Sequence, residues 1–373
     1  MPGARRDSIA FTVVVTILVC LGALPILVII ALSGAPREMV LATGLAALPV
    51  GPLVGCYLWL DRYEPEPKRL LAFGLLWGGF VATGAALLLQ GLGGWFVGFT
   101  DDQSLAIVAP ITEEASKGLF LFLLLWWRRD ELDGILDGIV YAGMVGIGFA
   151  FIENILYLAA AYNGTDGMGP GGTGAITGVF VIRCLFSPFA HPLFTTFIGI
   201  GVGLAVSSPR RSVRILAPVC GYLLAVGAHA AWNASTLWGF TGFVGVYFVL
   251  MVPAFVALMC LAIWWRRSER KMLAAALFDA SQRGLIPATD IGWLVDLRAR
   301  RAGRAFAREF GGKPGEEAMR EYQQAAVELG FLHNRFLRGT APKDFVERGQ
   351  MYVARIGQIR PYVAFPGQVV PPR

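Results

Sequence analysis

The stretch Ile9–Leu32, IAFTVVVTILVCLGALPILVIIAL, holds no charged residue, and threonine is its most polar side chain. As an α-helix it would be about 36 Å long, enough to cross about 30 Å of hydrocarbon. Arg5 and Arg6 precede it in the manner of a signal peptide, but the apolar run is too long for a signal h-region and reads as a first membrane span. Comparable runs recur at about 39–60, 69–91, 104–127, 135–161, 175–206, 213–236 and 240–265. The chain is 55% hydrophobic and only 16% charged, with a mean hydropathy of +0.59, whereas a soluble domain of this size carries more charge. The expectation is therefore an all-α polytopic membrane bundle of about eight transmembrane helices. The sixth run is too long for one straight span, and Pro188 and Pro192 are placed to kink or break it.

The loops assign sides. Arg5–Arg6, Arg62 to Arg69, Arg128–Arg129, Arg210 to Arg214 and Arg266–Arg267 are basic, whereas Gly93 to Gln103, Asn163 to Gly174 and Leu237 to Gly239 hold no Lys or Arg. Lys and Arg mark the cytoplasmic face. Only Arg37 breaks the alternation, so both termini are expected in the cytosol, with the Gly-rich loop Asn163 to Gly174 outside.

From Arg266 onward the composition changes, with 19 basic and 11 acidic residues. Apolar residues there follow helical spacing over 268–283, 288–310, 315–338 and 343–356, broken by Gly-Leu-Ile-Pro, Gly-Gly-Lys-Pro-Gly and Thr-Ala-Pro. The domain expectation is thus 1–265 in the membrane and 266–373 as a small cytosolic helical domain. This tail carries +8 and the rest of the chain −2, so the net charge of +6 reflects a basic tail beside an anionic lipid leaflet and gives no reason to expect a nucleic-acid partner. The five cysteines lie in apolar spans without a C-x-x-C pair and read as small hydrophobes.

The informative residues are those a bilayer should exclude. Glu113, Glu114 and Lys117 fall in the fourth run, and Glu153, Asn154 and Tyr157 in the fifth. Arg183, Ser187, His191 and Thr195 fall in the sixth, and His229 and Asn233 in the seventh. Each charge at mid-bilayer costs about 2.5–3.5 kcal/mol, so four or five unpaired would cost on the order of 10 kcal/mol. They must face one another or a water-filled cavity. Glu113 and Lys117, four apart, share a helix face, as do His229 and Asn233. Glu113, Glu153 and His229 each fall roughly 12–13 Å from the outer end of their runs. His191 fits that level only if the sixth span starts late or bends.

Two histidines with carboxylates can activate water by ligating a metal, or a glutamate can act directly as general base. Asn233 could then donate to a tetrahedral oxyanion. The signatures H-E-x-x-H, G-x-S-x-G and G-x-G-D are absent, and a Ser187–His191 dyad lacks a third member to orient it. Only two histidines lie in the membrane, so a zinc site would need a carboxylate as third ligand. That count favours direct glutamate catalysis.

Four motifs in order, Glu113-Glu114-x-x-Lys117, Phe149-x-x-x-Glu153-Asn154, Arg183 followed by His191-Pro-Leu-Phe-Thr195, and His229-x-x-x-Asn233, resemble the PrsW family of bacterial intramembrane proteases. The resemblance covers about Asp61 to Trp265 and extends to the CAAX prenyl endopeptidases. Glu153-Asn154 stands where the prenyl branch has a histidine, which argues against prenylated substrates. The resemblance implies a multi-pass enzyme of the bacterial cytoplasmic membrane that cleaves a membrane-spanning protein near its outer face, an anti-sigma factor being one such substrate. It also implies that Glu113 activates water with Glu114 assisting, that His191 and His229 position water or bind metal, and that Asn233 lines an oxyanion hole. Lys117, Glu153, Asn154 and Arg183 would be supporting residues. The cofactor is none or zinc, with His191, His229 and Glu153 the expected ligands for an ion. The same buried charges would also suit a proton-coupled transporter, although no internal repeat is seen, or a non-catalytic peptide-binding scaffold.

Overall fold

The computed structural model describes residues 2–33, 36–165 and 170–367, which are helical throughout with short connections. Residues 166–169 of the Gly-rich loop lie outside the described residues. The chain forms two compact units. The first is Met1–Asp61, Glu66–Val206 and Arg210–Ala262; the second is Arg62–Pro65, Ser207–Pro209 and Ile263–Arg373.

The first unit holds α1 (Pro2–Ser33), α2 (Pro36–Ala47), α3 (Val50–Leu60), α4 (Lys68–Leu76), α5 (Thr83–Val97) and the single turn α6 (Asp101–Gln103). It continues with α7 (Ala109–Trp127), α8 (Ile135–Asn163), α9 (Gly172–Phe180), α10 (Ala190–Ser207), α11 (Arg211–Ser235), α12 (Gly239–Val246) and the start of α13 (Val252–Gln282).

Among the described residues six segments, not the eight expected, are long and apolar enough to cross a membrane: Ile9–Ala31, Arg37–Leu60, Lys68–Val97, Ile135–Asn163, Gly172–Ser207 and Arg211–Gln282. Two features account for the difference. Helix α7 packs Glu113, Glu114 and Lys117 into one short apolar stretch and fails on composition. The last two expected spans fall within one segment, Arg211–Gln282, because only a 3-10 turn, Thr236–Trp238, and Gly239 at φ 70° separate α11 from α12.

Helix α8 runs through the centre, buried along nearly its whole length. Apolar attraction does not drive helices together in lipid, so close packing must, and small residues permit it. A Cβ on Gly138 would lie 2.1 Å from the Gly199 carbonyl oxygen, and one on Gly146 would meet Pro192 Cα at 2.6 Å. These contacts seat α10 against α8 and fix the backbone on which His191 stands.

Among the described residues four π-helical segments interrupt the α-helices: Trp77–Ala82, Ser104–Val108, Val181–Phe186 and Tyr247–Met251. Such bulges displace carbonyls from the regular ladder and recur at functional sites. The third ends at Ser187, whose backbone N–H and hydroxyl both return to the Ile182 carbonyl at 2.9 and 2.7 Å. Helix α10 restarts at Ala190, with Pro192 in its first turn, where a missing N–H costs nothing. The sixth expected span is therefore two helices, and His191 opens the second. Of the five cysteines only Cys184 is buried; the others face outward from the bundle.

The second unit contains the end of α13, α14 (Ile291–Val295), α15 (Leu297–Leu337) and α16 (Phe345–Ile359). Its core includes Leu273, Leu277, Tyr322, Phe331 and Phe365. Asp290 is fully buried but satisfied, accepting from Tyr322 Oη at 2.6 Å and from the Arg360 guanidinium at 2.5 and 3.0 Å. The Gly-Gly-Lys-Pro-Gly signal marks a real break: Gly312 takes φ 62° and kinks α15.

Candidate active site

Helix α7 supplies three charged residues to one buried point. Glu114 and Lys117 are fully buried and Glu113 nearly so. Lys117 Nζ lies 2.7 Å from Glu114 Oε1 and 3.4 Å from Glu113 Oε2, and sits 3.6 Å from the centroid of the Phe149 ring. The same nitrogen lies 3.1 Å from His191 Nδ1. Thr112 and Ser116, on the same helix, return their hydroxyls to α7 and its preceding turn and take no part.

Glu114 is the hub. Besides Lys117 it accepts from Thr195 Oγ1 at 3.1 Å and from His229 Nδ1 at 3.0 Å. An ionised carboxylate only accepts, so His229 carries its proton on Nδ1 and presents the Nε2 lone pair. That atom lies 3.8 Å from Glu113 Oε2, and Phe194 stacks on the ring at 4.8 Å. His191 is engaged at both nitrogens, by Lys117 at Nδ1 and by Glu153 Oε2 at 2.7 Å from Nε2.

Glu153 is shared. The Arg183 guanidinium binds the same oxygen, donates through Nε to Asn154 Oδ1 at 2.7 Å, and lies 4.1 Å over the Tyr157 ring. Asn233 is held one turn beyond His229, where its amide donates to the Leu105 carbonyl at 2.9 Å in the second π-helical segment. Ser187, bonded to Ile182, is not drawn to His191, so no serine dyad forms. Two participants escaped the sequence reading. Gln90 Nε2 reaches Glu113 Oε1 at 3.4 Å, and its one signal was a lone amide in the third apolar run. The Leu105 carbonyl had no signal, because a π-bulge is a backbone feature.

A cavity of about 500 Å³ opens beside this cluster, with Asn154, Arg183, His191 and Asn233 on its polar side and Trp232 and Phe243 on its apolar side. It has the size and mixed lining of a binding cleft.

The residues fit a divalent ion. Glu113, His191 and His229 are all buried and can each offer one ligand atom within 4.8 Å of the others. Two imidazoles and a carboxylate form a known donor set for catalytic zinc. Glu114 holds His229 from behind, as carboxylates orient metal-binding histidines. Glu113, Glu114 and Glu153 against Lys117 and Arg183 leave one uncompensated negative charge, which an ion would offset. The carboxylate in this cluster is that of Glu113, while Glu153 sits between Arg183 and His191.

A buried Glu–His–His cluster beside a cleft in a multi-pass helical bundle is the site of an intramembrane metalloprotease-type hydrolase. The sequence profile described as "PrsW family intramembrane metalloprotease" matches residues 66–258, half of the chain. This chain belongs to that family. It is 25% identical over 225 residues to "Protease PrsW" of Geobacillus kaustophilus, covering 59% of this chain and 86% of that one. It is 30% identical over 145 residues to the Oceanobacillus iheyensis protein of the same name, covering 39% and 58%. The Clostridioides difficile protein is 34% identical over 121 residues, covering 31% and 49%. No solved structure matches.

Proposed function

We propose that this enzyme hydrolyses a peptide bond of a membrane-spanning protein in the outer half of the bilayer, with Glu113, His191 and His229 holding a zinc ion. The observation that carries this reading is the buried convergence of those three side chains next to the 500 Å³ cleft. Bound zinc would supply Lewis acidity toward the scissile carbonyl and toward water. Glu114 keeps the proton of His229 on Nδ1 and its lone pair turned to Glu113. Glu153, the carboxylate beside His191 outside the donor set, takes the proton of the attacking water and returns it to the leaving amine nitrogen. Asn233 lies on the cleft wall, and exchanging the Leu105 carbonyl for the substrate's would make it an oxyanion donor.

The depth of the polar residues in their runs supports an outer-half cut, and the basic loops support cytosolic termini. An anti-sigma factor with one span is a substrate of the right chemistry. A second reading rests on one contact: Lys117 Nζ already places a cation 3.1 Å from His191 Nδ1. In that arrangement no metal binds and Glu113 is itself the base. Purified protein in liposomes, given single-span substrates whose products are mapped by mass spectrometry, tests the proposal. Cleavage within the outer half of the span, lost in Glu113→Gln, is expected. Cleavage in the cytosolic half, or no loss in Glu113→Gln, would refute it.

A further inference from the structure

Apart from Ser207–Pro209, the second unit lies outside the family match, which covers residues 66–258. Arg300 there is unusual. It is 7% exposed, its Nε donates to the Leu294 carbonyl, and its Nη1 donates to the Tyr63 carbonyl at 3.2 Å. Its Nη2 is buried with no partner among the described residues, and no carboxylate pairs with the guanidinium. A buried charge without a counter-ion is costly.

Its neighbours are also cations. Arg266 and Arg300 both lie against the Tyr63 ring, at 5.2 and 5.9 Å from its centroid. Arg304 follows one turn along α15 and repels Arg300, and burial with that repulsion pushes the Arg300 pKa down to about 10. Arg62 adds further repulsion on Arg266. Glu269 acts on Arg266 and Glu316 on Arg304, but neither pairs with Arg300, so the innermost cation of the group still calls for an anion.

Chain connectivity sets the level of this cluster. Tyr63 follows the segment Arg37–Leu60 by three residues, and Arg266 follows the Trp264–Trp265 pair, which ends the stretch free of Asp, Glu, Lys and Arg that begins at Ile215. Tryptophans at the end of an apolar run belong at the headgroup boundary. The cluster therefore stands where lipid phosphates lie.

We infer that Arg266 and Arg300, which share the Tyr63 ring, together with Arg304 one turn along α15, bind a phosphate group, that of an anionic phospholipid headgroup. Arg300 Nη2 supplies the innermost donor, and the half-buried Arg266 and Arg304 close on the phosphate from the accessible side. Forked guanidiniums suit this ligand better than lysine would.

The test is thermal unfolding of the full-length protein in neutral detergent. Phosphatidylglycerol, phosphatidylcholine and inorganic phosphate are titrated separately into wild type and an Arg266→Gln/Arg304→Gln variant. Both substituted positions are only half-buried, so the variant should fold, and an unchanged lipid-free melting temperature checks this. Phosphatidylglycerol should stabilise wild type in a saturable way, phosphatidylcholine should not, and the variant should need about tenfold more lipid. An equal shift from inorganic phosphate would support the phosphate site and identify the free ion as a ligand. Equal responses to both lipids, or equal responses of wild type and variant, would overturn it. Arg300→Lys provides a second check: it keeps the charge but loses the fork, and wild-type lipid affinity in that variant would also count against the site.

Discussion

Replacing Lys117 with Met removes the cation at the centre of the site while nearly conserving volume. Its Nζ lies 2.7 Å from one carboxylate and 3.4 Å from the next, and all three side chains are essentially buried. At an effective dielectric near 20 these distances correspond to gross attractions of about 6 and about 5 kcal/mol. Desolvation offsets most of that, and removing one member of a buried pair destabilises by about 3–5 kcal/mol because the partner is left uncompensated. The expected loss for Lys117→Met is therefore about 3–5 kcal/mol. Reversible unfolding in mixed micelles measures it. Combining Lys117→Met with Glu114→Gln removes a stranded charge, so the double variant should be more stable than Lys117→Met alone. A loss below about 1 kcal/mol for the single variant, or simple additivity in the double, would refute the argument that Lys117 neutralises the cluster.

Two further outcomes test other parts of the account. In a background without the native cysteines, a cysteine at exposed Thr173 should react with an impermeant thiol reagent in intact cells; labelling only after lysis would invert the topology. Asp61, just beyond the apolar run Arg37–Leu60, is raised by burial to about 8, chiefly through desolvation, although the Glu66 N–H donates to it at 2.8 Å. The folded state thus holds this proton more tightly than the unfolded chain, and stability falls as pH rises from about 4 to about 8. Asp61→Asn should flatten that decline and raise the melting temperature at pH 8 more than at pH 5; an equal effect at both would show that Asp61 does not titrate in this window.

The convergence of the polar residues was legible because the bilayer makes charge costly. Glu113, Lys117, Glu153, Arg183, His191 and His229 stood out from apolar runs, and the structure brings them into one linked cluster. The Glu113–Lys117 pair followed from four-residue spacing, but the shorter contact is to Glu114, three residues away, because the flexible lysine chain bends toward the hub. The count of spans was not legible. Counting apolar runs admitted α7 despite its three charges and divided the segment Arg211–Gln282, whose helices meet at a 3-10 turn and Gly239 with no longer loop between them. The break at Ser187 was legible from its prolines, whereas the π-helical segments were not. Their extra residue is accommodated by packing between distant helices, and so was the Leu105 carbonyl that holds Asn233.

The central claim is a metal-holding Glu113–His191–His229 cluster that cuts peptide bonds. Metal content and turnover of a single-span substrate, measured together on purified protein before chelation, after it and after adding zinc back, test it most directly. The account predicts about one zinc per chain, loss of both metal and activity on chelation, and recovery of both on zinc addition, with Glu113→Gln and His229→Ala failing to recover either. Full activity in metal-free protein would contradict it and leave Glu113 as the base acting alone.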